Sequence, residues 1–257
     1  MSRPELVDQA LVSPVYLAGP GDSAWVTVPL TTVSGWTALN APLVPHVVLT
    51  GPVSKSELRL EPVLEGPWWH VSHRDGRTGT NWSAAFDGST PVELIAAVTD
   101  ALTHPGYPLR QPVDPYEPLR QAGWTVAGGR GTFLSPDGHV RGSRNTLAGS
   151  RSWRITAGLD EDDPLWHAFL SAGTPPFVVA AFFQALASRD PVRRSAEQMK
   201  GFPRRGITLE WERRLAEHVG RALPERVEQL AARRAATSPP PSPAGGPGLA
   251  AAGRRLR

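Results

Sequence analysis

The chain contains no cysteine, which excludes a disulfide framework, Cys-based zinc sites and a cysteine nucleophile. No apolar stretch approaches the ~20 residues that a membrane helix needs, and the opening MSRPELVDQALVSPVYLAG has no long apolar run. A cytoplasmic protein with no membrane partner is expected. Catalytic signatures are missing too: there is no Gly-x-Ser-x-Gly and no HExxH. The run Gly128-Gly-Arg-Gly131 lacks the Lys-Ser/Thr and following helix of a phosphate-cradling loop. His70 and His73 are three apart, which on a strand puts them on opposite faces, and His104, His139 and His167 show no ligand spacing. The acidic run 160–163 reads as a charged hairpin connection. Neither an enzyme, a metal site, a cofactor nor a small-molecule substrate is expected from these residues.

Lysine is scarce as well. It occurs only as Lys55 and Lys200, so arginine supplies the other 25 of the 27 basic residues. With abundant Pro, Gly and Ala, this reads as the bias of GC-rich coding. The charge is segregated along the chain. Up to residue 188 there are 12 Lys+Arg against 17 Asp+Glu, a net of −5; from 189 onward there are 15 against 7, a net of +8. Any electrostatic footprint for a polyanion is therefore strongest in the C-terminal quarter.

What the sequence does have is an internal repeat. Trp69, Trp82, Thr90, Pro91 and Leu102 return as Trp153, Trp166, Thr174, Pro175 and Leu186, every pair at the same offset and without a gap. Residues 1–23 read as an irregular lead-in with a turn at Gly19 to Asp22, and 24–30 (AWVTVPL) as a first strand. Strand-like runs follow at 46–50, 57–61, 68–72 and 81–86, with 31–45 as a loop. Over 90–103 the spacing becomes helical: Leu94, Ile95, Val98, Ala101 and Leu102 form one stripe, and Thr90 with Glu93 forms a Thr-x-x-Glu capping box. A proline-rich linker at 104–118 leads to the second copy. Gly123-Trp124 there echoes Gly35-Trp36. Its strands are expected at 131–135, 139–143, 152–157 and 166–170, with a turn at Ser135-Pro-Asp-Gly138 and a helix at 174–188. The span 207–236 reads as one long basic-acidic helix and 237–257 as a low-complexity, disordered tail. The expected class is α+β: two tandem ββββα modules with twisted antiparallel sheets, each packed on a helix, plus a C-terminal basic helix. The boundaries fall at 1–108, 109–190, 191–236 and 237–257.

The runs Ser13-Pro-Val-Tyr-Leu-Ala-Gly, Ala24-Trp-Val-Thr-Val-Pro-Leu, Thr90-Pro-Val-Glu-Leu-Ile-Ala-Ala-Val-Thr-Asp-Ala-Leu102 and Ser135-Pro-Asp-Gly138 resemble the actinobacterial "domain of unknown function 317" family, in two copies over roughly residues 10–192. That resemblance implies a fold and leaves the activity open. A tandem of four strands and a helix is also similar in topology to Whirly proteins and to the coactivator positive cofactor 4, which bind single-stranded DNA across exposed sheet faces.

Trp69, Trp82, Trp153 and Trp166 share strand faces with apolar residues and are expected in the core. Trp68, on the opposite face from Trp69, is a candidate for stacking on a base. Arg59, His70, Arg141 and Arg154 stand at outward strand positions, where they form either an ordinary solvated face or a groove that tracks a phosphate backbone, and Arg144, just past the 139–143 strand, is a further candidate for nucleic-acid contact. Arg204, Arg205, Arg213 and Arg214 in the basic extension are candidates for sequence-independent phosphate contact, or for salt bridges along a solvated helix. The reading is a non-enzymatic nucleic-acid-binding protein for single-stranded or distorted DNA, with a homo-oligomer left open. The alternative is a protein-interaction scaffold without nucleic-acid binding.

Overall fold

The computed structural model describes residues 5–39, 46–52, 55–74, 81–106, 113–127, 131–145, 152–160, 162–202 and 204–237. In chain order the first part holds β1 (Leu6–Ser13), a short 3-10 turn at Val15–Leu17 and α1 (Ala24–Thr32). β2 (Thr37–Ala38), β3 (Val47–Thr50), β4 (Ser56–Leu60), β5 (Trp69–Arg74), β6 (Asn81–Phe86) and α2 (Val92–Thr103) complete the first copy. The second copy runs α3 (Glu117–Gln121), β7 (Thr125–Ala127), β8 (Thr132–Leu134), β9 (Val140–Asn145), β10 (Ser152–Gly158), β11 (Pro164–Leu170) and α4 (Pro176–Leu186). β12 (Val192–Ser195), β13 (Thr208–Leu215), α5 (Ala216–Gly220) and α6 (Ala222–Thr237) follow.

The class is α+β, with antiparallel sheets and a C-terminal helix, as the sequence implied. Each copy, however, carries five strands with a helix before and after them. The two sets of strands form one ten-stranded sheet in the order β2-β3-β4-β5-β6-β11-β10-β9-β8-β7. The copies meet where β6 pairs with β11, in the register Ala84↔Leu170, Ala85↔Phe169 and Phe86↔Ala168. Ala85 and Phe169 are separated by the same offset as the repeated tryptophans, so they are the same position in the two copies. A pseudo-twofold axis therefore passes through that pair and relates one half of the sheet to the other.

Period-two alternation sends one set of side chains to each face. On one face Leu58, Trp69, Val71, Trp82, Ala84 and Phe86 of the first copy, and Trp153, Ile155, Ala157, Trp166, Ala168 and Leu170 of the second, are buried against α2 and α4. The four repeated tryptophans are thus core residues, as expected. Those helices bury Leu94, Ile95, Val98, Val178, Val179, Phe182 and Leu186, the apolar stripe visible in the sequence. The anticipated capping box is not formed. Pro91 is the N-cap residue of α2, the hydroxyls of Thr90 and of its counterpart Thr174 are buried without a partner, and the Glu93 carboxylate is turned elsewhere.

Several elements differ from expectation. Residues 24–30 form α1, not a strand: Val26, Pro29 and Leu30 are buried at i, i+3 and i+4, which is helical spacing. Asp22 Oδ1 accepts from Ala24 N at its start, and Thr27, Thr31 and Thr32 return their hydroxyls to carbonyls three or four residues back. Pro29 has no N–H to give to Trp25 O, and that carbonyl accepts from Arg226 Nε of α6 at 2.9 Å. Arg226 also pairs with Asp100 of α2 at 3.0 and 3.1 Å and lies over the Trp25 ring, clamping three helices together. The lead-in 1–23 contains β1, and the span 207–236 begins with a strand rather than a helix. β1 is the centre of a second sheet, β12-β1-β13, whose other two strands come from the far end of the chain and in which Leu209, Trp211, Arg213 and Leu215 alternate along β13. The linker at 104–118 runs into α3 at its end, and its residues 107–112 lie outside the described residues. So does the tail beyond Thr237.

Two polar ties lock this small sheet and the 3-10 turn to the repeats. Arg194 of β12 is 2% exposed and spends all five donors: two on Glu93 at 2.7 Å, and the rest on the carbonyls of Ala18, Gly19 and Arg193. Tyr16 donates to Asp137 Oδ2 at 2.6 Å, Ser135 donates to Oδ1 at 2.6 Å, and Trp166 Nε1 donates to Tyr16 O. The Ser-Pro-Asp-Gly turn is therefore a fastening point between the N-terminal segment and the second copy. Burial raises the Tyr16 hydroxyl well above its usual range, with the Asp137 hydrogen bond and charge adding to the shift. Burial also pushes Asp137 upward, but the hydrogen bonds from Ser135, Tyr16 and the His139 backbone outweigh it and leave the carboxyl lowered.

Removing the guanidinium in Arg194→Met leaves Glu93 partly buried and unpaired, and is expected to cost about 3–5 kcal/mol in urea unfolding. A loss below about 1 kcal/mol would show that this pair does not tie the sheets. Tyr16→Phe is expected to lose about 1.5–3 kcal/mol at neutral pH. Because Asp137 titrates lower in the folded chain than in the unfolded one, its stabilisation is present above the unfolded value of ~3.9. The gap between wild type and Tyr16→Phe should therefore narrow as pH falls through the folded value, a trend readable in acid titrations of unfolding.

Candidate functional site

The face of the ten-stranded sheet opposite α2 and α4 is not covered by another described element. Cross-strand register lays its outward residues out in rows. The row through the pseudo-twofold axis reads Val48, Arg59, His70, Ala85, Phe169, Arg154 and Ser143. Four strand spacings separate Arg59 from Arg154, roughly 19 Å at ~4.8 Å each. The neighbouring row runs from Trp68 through Asp87, His167 and Thr156 to Arg141 and Leu134.

The two halves of this face differ chemically. In the first, Arg59 is held by Glu57 at 3.1 Å, two positions back on the same strand. His70 contacts Pro67 O through Nε2 at 3.2 Å. In the second, Arg141 stands where Glu57 stands in the first copy, His167 replaces Ser83, and Phe169 replaces Ala85. Phe169 is 39% exposed and directly opposite Arg154. Thr156 Oγ1 and His167 Nδ1 are 3.2 Å apart. The outward positions of β9, β10 and β11 thus carry Arg141, Arg154, His167 and Phe169, and no carboxylate. The Asp87 carboxylate at their border accepts from His167 N at 2.8 Å.

Of the residues singled out from sequence, Arg59, His70 and Arg154 share one row, while Trp68 and Arg141 share the next. Arg144 does not belong to this face. It pairs with Trp153 in register, so it points to the helix side, where its guanidinium lies 4.6 Å from the Trp153 ring and its Nε is buried. A count in steps of two from buried Val140 explains this: positions 140, 142 and 144 face inward. Arg213 and Arg214 are strand residues of the small sheet, not helical ones, with Arg213 on Asp8 at 3.2 Å and Arg214 near Glu212 at 3.8 Å. Arg204 and Arg205 are exposed in the segment preceding β13. These four are not part of the open face. Phe169 is the residue that sequence reasoning misses. Its odd offset from the core residue Trp166 is the available signal.

Trp68 is held in one pose. Its Nε1 donates to Val63 O at 2.9 Å, and its ring lies so close to Gly88 that a Cβ there would sit 2.4 Å from Cδ2. The indole is nevertheless 37% exposed. Gly88→Ala should displace the ring, cost about 1–3 kcal/mol by overpacking, and raise acrylamide quenching of tryptophan fluorescence. An unchanged quenching constant would show that the ring does not rest on this glycine.

Among the described residues no three His, Asp or Glu converge on one point, and no helix is long and apolar enough to cross a membrane. Neither a curated protein nor a solved structure matches the chain. A family model does, twice: residues 50–108 and 134–192 match the one described as SPDY, a domain of unknown function (DUF317). The two matched segments are offset by the same interval as the tryptophans, and each spans the last three strands and the closing helix of one half of the sheet. The chain therefore carries two tandem copies of the SPDY domain (DUF317), joined edge to edge through their last strands.

Proposed function

We propose that this protein binds nucleic acid, single-stranded or distorted DNA in particular, across the open face of its ten-stranded sheet and largely without regard to base sequence. The outward patch of Arg141, Arg154, His167 and Phe169 on β9 to β11, with no carboxylate among those strand positions, carries the reading. Arginines spaced along a sheet neutralise a phosphate backbone, and an exposed ring beside them offers a stacking platform that any base can use. A broad antiparallel face admits an extended strand with its bases turned inward. It offers no protruding helix to enter a major groove. Arg59, paired with Glu57 at 3.1 Å, lies in the same row as Arg154. The scaffold alternative lacks such a directed arrangement of charge.

Anisotropy titration of a labelled 15-nucleotide dT strand with the full chain tests this. Phe169→Ala is expected to weaken binding about 5- to 100-fold, corresponding to ~1–3 kcal/mol for one stacked base. Arg154→Ala and Arg141→Ala should each flatten the log–log salt dependence by about 0.7. Binding that is absent at low salt, or equal in wild type and all three variants, overturns the reading.

A further inference from the structure

The ten-stranded sheet ends on the very short β2 and β7, but the small sheet ends on a long strand. β13 runs over eight residues, and its outer side is paired to no described strand. Ala216 N donates to Glu5 O at 2.9 Å, which extends the β1–β13 register by one hydrogen-bonded pair. Antiparallel pairs alternate, so positions 214, 212, 210 and 208 bond to β1 as well. Positions 209, 211 and 213 therefore turn their N–H and C=O groups to the free edge. No described residue bonds to those groups. We propose that this edge joins a second copy of the same chain: two β13 strands pair antiparallel about a twofold axis at Glu212, merging the small sheets of two chains into one. The inference is independent of the nucleic-acid reading above.

The order of side chains along β13 makes the strand complementary to itself. An axis normal to the sheet at Glu212 sets Leu209 opposite Leu215, Glu210 opposite Arg214 and Trp211 opposite Arg213 of the second copy, and each pairing occurs twice. The pairs of Trp211 with Arg213 are then the hydrogen-bonded ones, so they use the outward backbone groups. Opposite charges, and a guanidinium beside an indole, are favourable cross-strand neighbours. Trp211 is 45% exposed and Glu210 and Arg213 are exposed, so nothing in the chain stands in the way. Like charges meet only at the axis, where each Glu212 carboxylate is already held by Arg193 of its own chain at 3.1 Å. Other registers fit worse. Centring on Trp211 sets Glu210 against Glu212 twice, and centring on Arg213 sets that arginine against itself and leaves Leu209 and Glu210 opposite α5. Scattered charges commonly guard an edge against pairing. In β13 their sequence favours one register between two copies.

The absence of cysteine permits a direct test on the full chain. At the axis the two copies of position 212 form a non-hydrogen-bonded pair with Cα atoms ~4.5 Å apart, within reach of a disulfide. Glu212→Cys should therefore give a covalent dimer on mild oxidation, seen in a non-reducing gel. Glu210→Cys and Arg214→Cys should not do so alone, because their two copies lie roughly 13 Å apart, but a mixture of the two chains should cross-link. That mixture reads the same register if Glu212→Cys fails to fold. Sedimentation equilibrium of the cysteine-free chain gives the dimer constant. Glu210→Arg sets an arginine against Arg214 at both ends and should weaken the dimer about tenfold or more, and adding Arg214→Glu should restore it to within about threefold. A chain that is monomeric at every concentration overturns the proposal. So does a dimer constant indifferent to Glu210→Arg, or cross-linking through Glu210→Cys alone as readily as through Glu212→Cys.

Discussion

The main-chain ladder between β6 and β11 is the contact on which the architecture depends. Each copy of the repeat ends its strand run with an edge, and an unpaired edge is a row of unsatisfied donors and acceptors. Pairing the two edges through equivalent residues removes both liabilities at once and doubles the width of the sheet. The outer edges that remain, β2 and β7, are very short, which leaves little backbone for a further strand to add to. Because the register is centred on Ala85 and Phe169, the inner faces of both copies fall on the same side. A shift of one residue would have sent Trp166 to solvent while Trp82 stayed buried. α2 and α4 can then share one core, and the opposite face stays continuous.

Around this frame, arginines of the basic C-terminal quarter serve as structural clamps. Arg194 closes on Glu93 and three carbonyls, Arg226 on Asp100 and the carbonyl that Pro29 leaves without a donor, and Arg234 on Thr103 O. Burial raises the Asp100 carboxyl, and the Arg226 charge and hydrogen bonds oppose that rise. Much of the positive charge that the sequence concentrates after residue 189 is therefore absorbed in holding the small sheet and α6 to the repeats. The charge that stays on the open face comes instead from the mildly acidic repeat region.

Duplication produced two equal halves, and divergence at outward positions made them different. Glu57 against Arg141, Ser83 against His167 and Ala85 against Phe169 change the face without touching the core, since strand alternation separates the two sets of positions. Trp68 against Ser152 runs the other way, placing the aromatic ring in the first half.

The sequence alone determined the repeat, the four core tryptophans, the apolar stripes of α2 and α4, and most strands of both copies. Those are local patterns, and a period of two or 3.6 can be read within a short window. It misleads wherever the deciding partner is remote. The β-branched run at 24–30 alternates like a strand, yet becomes helical once α2 and α6 cover its buried side. β1 and β13 each look unconvincing alone, because they lie at opposite ends of the chain and become strands only in each other's presence. Arg144, a candidate nucleic-acid contact from the sequence, points to the helix side, as its register with Trp153 shows. Which outward residues stand together on one surface was decided by the pairing of β6 with β11, a long-range contact that no local spacing encodes.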